Sequence, residues 1–435
     1  MRFFFIFVKM DIRNIYKRFL ECDSISTDSR YSKDNSLFFS LKGENFNGNK
    51  YAKESLNKGC KYAIVDEAEY AADKRFILVD DTLKTLQELA KMHRLQMNAT
   101  VIGITGTNGK TTTKEIVSRV LSEKYTTLGT PKNYNNHIGV PLTLLNLNKN
   151  HEFAVIEMGA NHINEIKNLC QIAAPDYGLI TNIGKAHLEG FGSFEKVIQA
   201  KSELYDYICA SNGTVFINKD NELLETLVQQ RNCSTYSYGS SIYADCRGKI
   251  INSVPFLEIK QDNTLIKSQM TGKYNFENIL AGICIGTFFH VPSKNIYKAI
   301  QNYVPENNRS QILKTDKNEV FLDAYNANPT SMQLALENFR EIKRKKKVII
   351  LGDMFELGEF SLQEHNNIIR KIHEFGFRNV YLVGEEFLKT KPEKCLTFKN
   401  TEDLADHIKE NPITDSSVLI KGSRGMALEK LVEYL

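Results

Sequence analysis

The chain has 435 residues, too many for one compact core, and this length predicts roughly three domains. Hydrophobic residues make up 42% of the chain and charged residues 25%, as in folded globular proteins, which excludes general disorder. The formal net charge of +4 is too small for a nucleic-acid coat, so we expect no nucleic-acid partner. It is compatible with local basic clefts that bind anionic small molecules.

The eight cysteines are scattered along the chain and include no C-x-x-C pair. We therefore expect free thiols in a reducing cytoplasm rather than a disulfide framework or a zinc site. No stretch approaches the ~18 apolar residues of a membrane span, so we expect no membrane insertion. The apolar run 3–8 is too short for a signal peptide. We expect translation to start at Met10 and residues 1–9 to be dispensable.

Short strands and helices are predicted from residue 10 to about residue 95, with strands at 37–41 and 62–65 and a helix at 82–96. From Ala99 onward, short apolar runs at 101–104, 153–156 and 177–180 alternate with helical stretches. This alternation is typical of parallel βαβ units. Residues 235–270 resemble antiparallel strands appended to that domain.

A second alternation begins after Arg309, with predicted strands at 320–322, 348–351, 380–383 and 418–420. Helical patterns between these strands predict a Rossmann-like domain. The segment contains no G-x-G-x-x-G, so we infer no dinucleotide. The sequence therefore predicts an α/β protein with domains at 10–95, 96–307 and 308–435.

The sharpest motif is a glycine-rich loop between an apolar strand and a helix, G-I-T-G-T-N-G-K-T-T-T at 103–113. Glycines let backbone N–H groups converge on an anion at the positive end of the helix. Lys110 would reach the β- and γ-phosphates, and the Thr111 hydroxyl would ligate Mg²⁺. Ile104 stands where the first glycine of a strict P-loop belongs, and a helix-capping turn is the alternative. We favour a nucleotide loop formed by Gly106, Thr107, Asn108, Gly109, Lys110, Thr111 and Thr112.

Two polar residues follow the next predicted strands, where ligands collect in open α/β sheets. Glu157 ends the strand at 153–156, and a carboxylate there suits the Mg²⁺ of a nucleotide. The alternative is a solvated loop carboxylate. His187 lies just beyond the strand at 177–180 and is either a ligand or a structural histidine.

Lys201 falls on the apolar stripe of the helix predicted from about residue 194 to 208. Such a lysine often extends its ammonium group to solvent. If it is buried instead, desolvation favours a neutral, nucleophilic amine. That amine can take up CO₂ and become a carbamate, an anion able to bind a metal. The residues alone leave both alternatives open.

Taken in order, these motifs resemble the Mur ligase family, whose ATP-dependent members form amide bonds in peptidoglycan precursor synthesis. The resemblance runs along nearly the whole chain from Met10. It implies an N-terminal α/β UDP-binding domain, a central P-loop-type ATPase domain with a parallel sheet, and a C-terminal Rossmann-like domain. It also implies that Glu157 and His187 are magnesium ligands and that Lys201 is carbamylated.

Further motifs are similar to the family member that adds D-alanyl-D-alanine. They lie at 135–143, 323–329, 351–358 and 421–425. By resemblance, Asn275 and Asn278 would border the adenine, whereas Arg309 and Asp323 would hold phosphate and ribose. The residues that the resemblance assigns to substrate binding are Thr27, Asp28, Ser29, Arg30, Asn47, Gly48, Asn135, Asn136, Asn326 and Asn328.

The resemblance implies that ATP activates the terminal carboxylate of UDP-N-acetylmuramoyl-tripeptide as an acyl phosphate, which the amine of D-alanyl-D-alanine then attacks. It implies ATP, a pair of Mg²⁺ ions and the Lys201 carbamate as cofactors, and a monomer in the cytoplasm. Two alternatives stay open at this point. One is another Mur-like amide ligase of the folylpolyglutamate synthase type, and the other is a P-loop kinase or NTPase that performs no ligation.

Overall fold

A computed structural model describes residues 10–306, 308–343 and 346–435. Residues 1–9 lie outside the described residues, so their dispensability and the translation start at Met10 stay predictions. The chain divides into two compact units. The first contains the chain up to Gly103 with Tyr125–Gly159 and Glu165–Tyr177, and the second contains Ile104–Lys124, Ala160–Asn164 and Gly178–Leu435. The three predicted domain boundaries stay a prediction.

The N-terminal part of the first unit is built around a small parallel sheet. Its elements are α1 (Ile12–Phe19), β1 (Ser24–Ser26), β2 (Ser36–Phe39), β3 (Lys42–Gly43), β4 (Phe46–Asn47), α2 (Ala52–Asn57), β5 (Tyr62–Val65), β6 (Phe76–Leu78) and α3 (Thr82–Gln96). The strand order is β1-β2-β5-β6, and all neighbours are parallel. Helix α3 begins where the Asp81 carboxylate accepts the Lys84 N–H at 2.8 Å. The predicted strand at 62–65 and helix at 82–96 are confirmed.

A seven-stranded sheet follows, in the order β13-β12-β11-β10-β7-β9-β8. The elements of this stretch are β7 (Thr100–Thr105), α4 (Lys110–Ser122), β8 (Thr127–Gly129), α5 (Gly139–Leu144), β9 (Phe153–Glu157), α6 (Glu165–Ala173), β10 (Tyr177–Ile180), α7 (Leu188–Phe191), α8 (Phe194–Ala210), β11 (Thr214–Asn218), α9 (Glu222–Gln229), β12 (Ser234–Gly239) and β13 (Cys246–Arg247). The three strands predicted here and the helix that carries Lys201 are confirmed.

The prediction of antiparallel strands across 235–270 is only half correct. Strands β12 and β13 pair parallel to their neighbours and extend the seven-stranded sheet. Only β14 (Lys249–Asn252), β15 (Glu258–Gln261) and β16 (Thr264–Lys267) form an antiparallel sheet. Strand propensity does not reveal the direction of pairing, because that direction depends on which distant strand becomes the neighbour.

Two helices complete this part of the second unit, α10 (Asn275–Phe288) and α11 (Ser293–Gln301). Helix α10 packs closely against the loop helix α4. A Cβ atom at Gly282 would lie 2.4 Å from Cγ2 of Ile116, and one at Gly286 would lie 2.5 Å from Cγ1 of Val120. The two glycines therefore set how near α10 approaches the helix that follows the glycine-rich loop.

The C-terminal stretch forms a six-stranded sheet in the order β17-β18-β22-β19-β20-β21. Its elements are β17 (Gln311–Lys314), β18 (Asn318–Asp323), α12 (Pro329–Glu341), β19 (Lys347–Gly352), α13 (Ser361–Glu374), β20 (Asn379–Val383), α14 (Glu385–Lys389), β21 (Leu396–Phe398), α15 (Thr401–Glu410) and β22 (Ser416–Lys421). Only β17 is antiparallel to its neighbour. Alternate strand residues supply two apolar clusters, one with α12 and α13 and the other with α15. The predicted Rossmann-like architecture is confirmed.

The cysteines differ from expectation at one pair. Cys209 and Cys233 form a disulfide, so the prediction of free thiols throughout is wrong for these two, whereas the other six are free. The end of α8 and the start of β12 bring together cysteines that are 24 residues apart in sequence, a separation that no short motif reveals. Among the described residues, no helix is long and apolar enough to cross a membrane.

Candidate active site

The glycine-rich loop runs from the end of β7 to the start of α4. Gly109 precedes the helix in a left-handed conformation with φ +78°, and Gly106 has φ +142°. A Cβ atom at Gly106 would lie 2.0 Å from Oγ1 of Thr181, and one at Gly109 would lie 2.5 Å from Oδ1 of Asn278. The loop therefore needs glycine at both positions for conformation and for space.

The segment after β10 holds this loop from the side. Asn182 Oδ1 accepts the Asn108 N–H at 3.0 Å, and the Thr181 hydroxyl donates to the Asn108 carbonyl at 2.6 Å. The Thr107 hydroxyl donates to the Gly184 carbonyl at 3.2 Å. Residues 181–184 therefore stabilise the loop through hydrogen bonds to Thr107 and Asn108. No role for Asn182 was predicted from the sequence.

The charged and hydroxyl groups of the loop lie at the first turn of α4. Lys110 Nζ donates to the carbonyls of Gly106 at 2.8 Å and Thr107 at 3.0 Å, so the ammonium group is held over its own loop. Thr111 is buried, and Thr112 is the next residue of the helix. A cation and backbone N–H groups at a helix N-terminus form an anion site suited to phosphate.

Asn275 and Asn278, the predicted adenine neighbours, lie on the first turn of α10 and are both buried. Asn278 Nδ2 donates to Asn275 Oδ1 at 2.8 Å, and Asn278 Oδ1 accepts the Thr113 hydroxyl at 3.0 Å. Asn275 Nδ2 donates to the Thr271 carbonyl at 2.7 Å. The pair therefore links α10 to the loop helix, a role that the sequence did not suggest.

Glu157, in the first unit, ends β9 with its side chain only 1% exposed. Asn135 Nδ2 donates to its Oε1 at 2.7 Å, whereas its Oε2 is buried and has no hydrogen-bond partner. A buried carboxylate oxygen without a donor is the ligand that a hard cation prefers. Glu157 therefore fits the predicted magnesium role, and Asn135, predicted to bind substrate, supports its orientation.

His187, in the second unit, immediately precedes α7 and has a left-handed backbone with φ +53°. Its Nδ1 contacts Oε2 of Glu356. This contact with the imidazole holds the pKa of the Glu356 carboxyl below its ordinary value. Glu356 belongs to the motif at 351–358, but no function was predicted for it from the sequence.

Lys201, also in the second unit, is 2% exposed on the apolar face of α8, so its side chain does not extend to solvent. Nζ donates to the Ala160 carbonyl at 3.3 Å and lies 5.6 Å from the ring centroid of Phe191. The structure therefore excludes the solvent-directed alternative. Within the described residues, no group of three or more His, Cys, Asp or Glu side chains could hold a metal ion by itself. Mg²⁺ commonly completes its shell with phosphate oxygens and water.

The predicted phosphate and ribose residues lie near the carboxyl end of β18. The Arg309 guanidinium lies 3.6 Å from the ring centroid of Tyr325. Asp323 Oδ1 accepts the Ser310 N–H at 3.2 Å, and its Oδ2 accepts from the buried Lys421 Nζ at 2.6 Å. Tyr325 and Lys421 belong to motifs noted in the sequence, but their roles in orienting Arg309 and Asp323 were not predicted.

Asn326 and Asn328 lie between β18 and α12. The Asn326 carbonyl accepts from Lys421 Nζ at 3.2 Å. Asn328 caps α12 by accepting the Ser331 N–H at 2.9 Å, and its Nδ2 donates to Oδ1 of Asn108 at 2.8 Å. The helix cap therefore also contacts the glycine-rich loop.

The remaining predicted substrate residues belong to the first unit, and most of them shape turns. Asp28 accepts from Arg30 through both carboxylate oxygens, and these bonds lower the Asp28 pKa to about 2. Asn47 Nδ2 donates to the Glu67 carboxylate at 3.0 Å. The remaining residues are Thr27 and Ser29, which flank Asp28, and Gly48, whose N–H donates to the Leu41 carbonyl. The last is Asn136, whose Oδ1 accepts the Gly139 N–H at 2.9 Å.

Three family models match the chain in order. The Mur ligase family catalytic domain matches residues 21–94, the Mur ligase middle domain residues 104–286, and the Mur ligase glutamate ligase domain residues 308–424. The phosphate loop, His187 and Lys201 fall in the second match, and Asp323 and Glu356 fall in the third. The matches support the order of segments that the motifs predicted.

Curated relatives and solved structures match nearly the whole chain. UDP-N-acetylmuramoyl-tripeptide--D-alanyl-D-alanine ligase of Bacillus subtilis is 32% identical and covers 94% of this chain and 92% of its own. The enzyme of the same name from Haemophilus influenzae is 32% identical over 96% of this chain and 94% of its own.

MurF from Acinetobacter baumannii superposes with a TM-score of 0.86 at 28% identity over 98% of each chain. MurF ligase from Thermotoga maritima, solved in complex with ADP, has a TM-score of 0.83 at 26% identity over 96% of this chain and 97% of its own. A folylpolyglutamate synthase of Mycobacterium tuberculosis shares the fold alone, with a TM-score of 0.59 at 15% identity over 81% of this chain and 94% of its own. Because full-length relatives exceed 30% identity, this chain belongs to the Mur ligase family.

Proposed function

We propose that this chain is an ATP-dependent ligase that joins D-alanyl-D-alanine to UDP-N-acetylmuramoyl-tripeptide through an acyl phosphate. The observation that carries the proposal is the likeness, along 94% of the chain, to the Bacillus subtilis enzyme of that name. The phosphate loop at the start of α4 and the likeness to a relative solved with ADP support ATP as the nucleotide.

The reaction brings several anions together. An oxygen of the tripeptide carboxylate attacks the γ-phosphorus, ADP leaves, and the acyl phosphate forms. The amine of D-alanyl-D-alanine then adds to the carbonyl carbon and loses a proton, and the tetrahedral intermediate collapses to amide and phosphate. Lys110, held over the loop by the Gly106 and Thr107 carbonyls, is the cation suited to neutralise charge that develops on the transferred phosphate.

Magnesium, as a pair of ions, would neutralise phosphate oxygens and align the transferring group. The buried, unpaired Oε2 of Glu157 supports this assignment. We assign the metal to Thr111, Glu157, His187 and Lys201. For Lys201 we propose a carbamate, because CO₂ can add to a neutral buried amine, forming an N–C bond and releasing one proton. Charge reversal at this buried position would provide an anionic ligand.

We propose that the chain has three domains, at residues 10–95, 96–307 and 308–435, and that all three contribute residues to substrate binding. Residues 27–30, 47–48 and 135–136 would hold the UDP-tripeptide. Asn275, Asn278, Arg309 and Asp323 would hold ATP, and Asn326 and Asn328 would bind substrate. Water must be excluded because it hydrolyses acyl phosphates, and closure of domains meets that need. We expect the enzyme to act as a monomer in the cytoplasm.

The test is phosphate release by the full-length protein with ATP, Mg²⁺ and either the lysine- or the diaminopimelate-containing UDP-tripeptide, with and without D-alanyl-D-alanine. We expect release only when all components are present, and none from Lys110→Ala. Full-rate release without the dipeptide would indicate an NTPase instead. Turnover with a folate and glutamate, but not with UDP-tripeptide, would indicate a folylpolyglutamate synthase.

A further inference from the structure

The segment that follows β19, residues 353–358, is fixed firmly within the C-terminal stretch although the proposed reaction gives it no role. Asp353 is 3% exposed, and its carboxylate accepts the N–H groups of Glu386 at 2.9 Å and Phe387 at 3.0 Å. A carboxylate at the first turn of α14 is also favoured by the partial positive charge there. The segment is therefore anchored at its start.

Two further hydrogen bonds fix the next residues of this segment. The Met354 N–H donates to Nε2 of the buried His365 at 3.1 Å. The Phe355 N–H donates to the Ser423 hydroxyl at 2.9 Å, which ties the segment to the loop after β22. Three consecutive residues are thus held by α14, by α13 and by the loop after β22 before the chain reaches Glu356, so these contacts restrict the position of Glu356.

Glu356 and its partner His187 both have backbone conformations that non-glycine residues rarely adopt, with φ +61° and +53°. Such conformations are strained and persist where the surroundings impose them, often at functional sites. The Glu189 N–H also donates to the Glu356 carbonyl at 3.2 Å. Backbone and side chain of Glu356 therefore both engage the segment that carries His187.

A histidine that ligates a metal usually donates its other ring N–H to a carboxylate or a carbonyl, which fixes the tautomer and the ring orientation. Since Glu356 pairs with Nδ1 of His187, Nε2 would keep its lone pair for a cation. We propose that Glu356 is a positioning residue that accepts the Nδ1–H of His187 and holds Nε2 ready for nucleotide-bound magnesium. This inference rests on the proposed function, because it takes His187 as a ligand of that magnesium.

The pair also connects two parts of the sequence. His187 lies within the stretch matched by the middle domain and Glu356 within the stretch matched by the glutamate ligase domain. Orientation of the histidine therefore depends on the C-terminal stretch being docked as it is here. Metal binding at His187 and docking of residues 353–358 should strengthen each other, as linked equilibria require.

The first experiment measures the His187 tautomer in full-length protein labelled with ¹⁵N-histidine, using His187→Asn to assign its ring signals. We expect Nδ1 to carry the proton in the wild type and in Glu356→Gln, whose amide oxygen still accepts. Glu356→Ala should lose the fixed tautomer. Glu359→Ala, an exposed carboxylate three residues away, is the matched control and should resemble the wild type.

The second experiment measures Mn²⁺ binding by electron paramagnetic resonance with a non-hydrolysable ATP analogue present. We expect Glu356→Ala to weaken Mn²⁺ binding about 10- to 100-fold, the usual effect of losing such a partner, with Glu356→Gln affected less. Metal-free nucleotide affinity and the KM for UDP-tripeptide should not change. Unfolding curves will show whether each variant is folded. If Glu356→Ala is not folded, the Mn²⁺ affinity of Glu356→Gln is compared with that of the wild type instead.

Wild-type Mn²⁺ affinity and an unchanged tautomer in a folded Glu356→Ala would overturn the inference. Wild-type Mn²⁺ affinity in His187→Asn would overturn it as well. Failure of the proposed function looks different, because phosphate release would then not require D-alanyl-D-alanine, while the dependence of Mn²⁺ binding on Glu356 would still be measured. The two hypotheses are therefore judged by separate readouts.

Discussion

Lys201 is buried on the apolar face of α8, and its amine lies 5.6 Å from the Phe191 ring centroid and donates to the Ala160 carbonyl at 3.3 Å. These contacts leave little room for hydration of an ammonium ion. A carbamate at this position would replace the amine with an anion that a metal can compensate. The chemistry of this single side chain therefore decides the charge of the proposed metal site.

We predict that Lys201→Ala lowers turnover by about 100-fold or more and that a small added carboxylate restores part of it, since the carboxylate can occupy the vacated space. Lys201→Arg should be equally inactive and not restored, because the guanidinium stays in place and does not form a carbamate. Phosphate release with and without acetate or formate measures both effects. A fully active Lys201→Ala would contradict the carbamate assignment.

His93, on α3 in the first unit, gives a pH-dependent contribution to stability. Burial lowers its pKa below the ordinary value of 6.5, and its neutral ring contacts the Leu147 carbonyl at 2.8 Å and the Tyr16 hydroxyl at 3.1 Å. Because the unfolded chain takes up the proton first, this contribution is complete above about pH 6.5 and is lost as pH falls toward the folded pKa.

We therefore predict that the free energy of unfolding falls below pH 6.5 with a His93 contribution of at most about 1.4 kcal/mol per pH unit. The measurement is urea unfolding at pH 7.5, 6.5 and 5.5. His93→Gln should have a flatter pH dependence, whereas the exposed His137→Gln should follow the wild type. Equal slopes for His93→Gln and the wild type would refute this assignment.

At the scale of elements, α12 begins at a residue with two separate functions. Asn328 caps the helix through its side-chain oxygen, and its amide nitrogen contacts Asn108 of the glycine-rich loop. Serine also caps helices but is too short to reproduce the second contact. Substitution can therefore separate the contribution to helix stability from the contribution to the loop.

We predict that Asn328→Ser unfolds within a few tenths of a kcal/mol of the wild type, whereas Asn328→Ala loses about 1 kcal/mol. Both should bind an ATP analogue several-fold more weakly, because Asn108 loses the same donor in each. Urea unfolding and calorimetric titration measure the two effects. If only Asn328→Ala bound nucleotide weakly, the Asn108 contact would have no role in the loop.

At the scale of the whole molecule, the C-terminal stretch has two apolar clusters of its own. The buried members of both its apolar clusters come from residues 320–435 and line opposite faces of one six-stranded sheet. A chain of this length with its own core is within the usual size of a domain. The boundary at residue 308 stays a prediction, which a fragment can test.

We predict that a fragment of residues 308–435 expressed alone is folded and unfolds cooperatively, with the circular dichroism of an α/β protein and no ATP hydrolysis. Thermal and urea unfolding followed by two probes provide the measurement. The fragment of residues 316–435, which lacks β17 and keeps all of β18, serves as a comparison and should be less stable. A non-cooperative transition in the longer fragment would argue against the boundary.

The sequence alone determined the α/β class, the strands of both alternating regions and the glycine-rich loop, because apolar periodicity, glycine and helix-start residues act within a few positions of the chain. Tertiary structure decided the features that depend on distant neighbours. The parallel pairing of β12 requires β11, the disulfide requires Cys209 and Cys233 to meet, and the burial of Lys201 requires Ala160 and Phe191. The pairing of His187 with Glu356 joins residues 169 positions apart, and no local pattern encodes such a contact, because it forms only when the packing of whole elements brings the two side chains together.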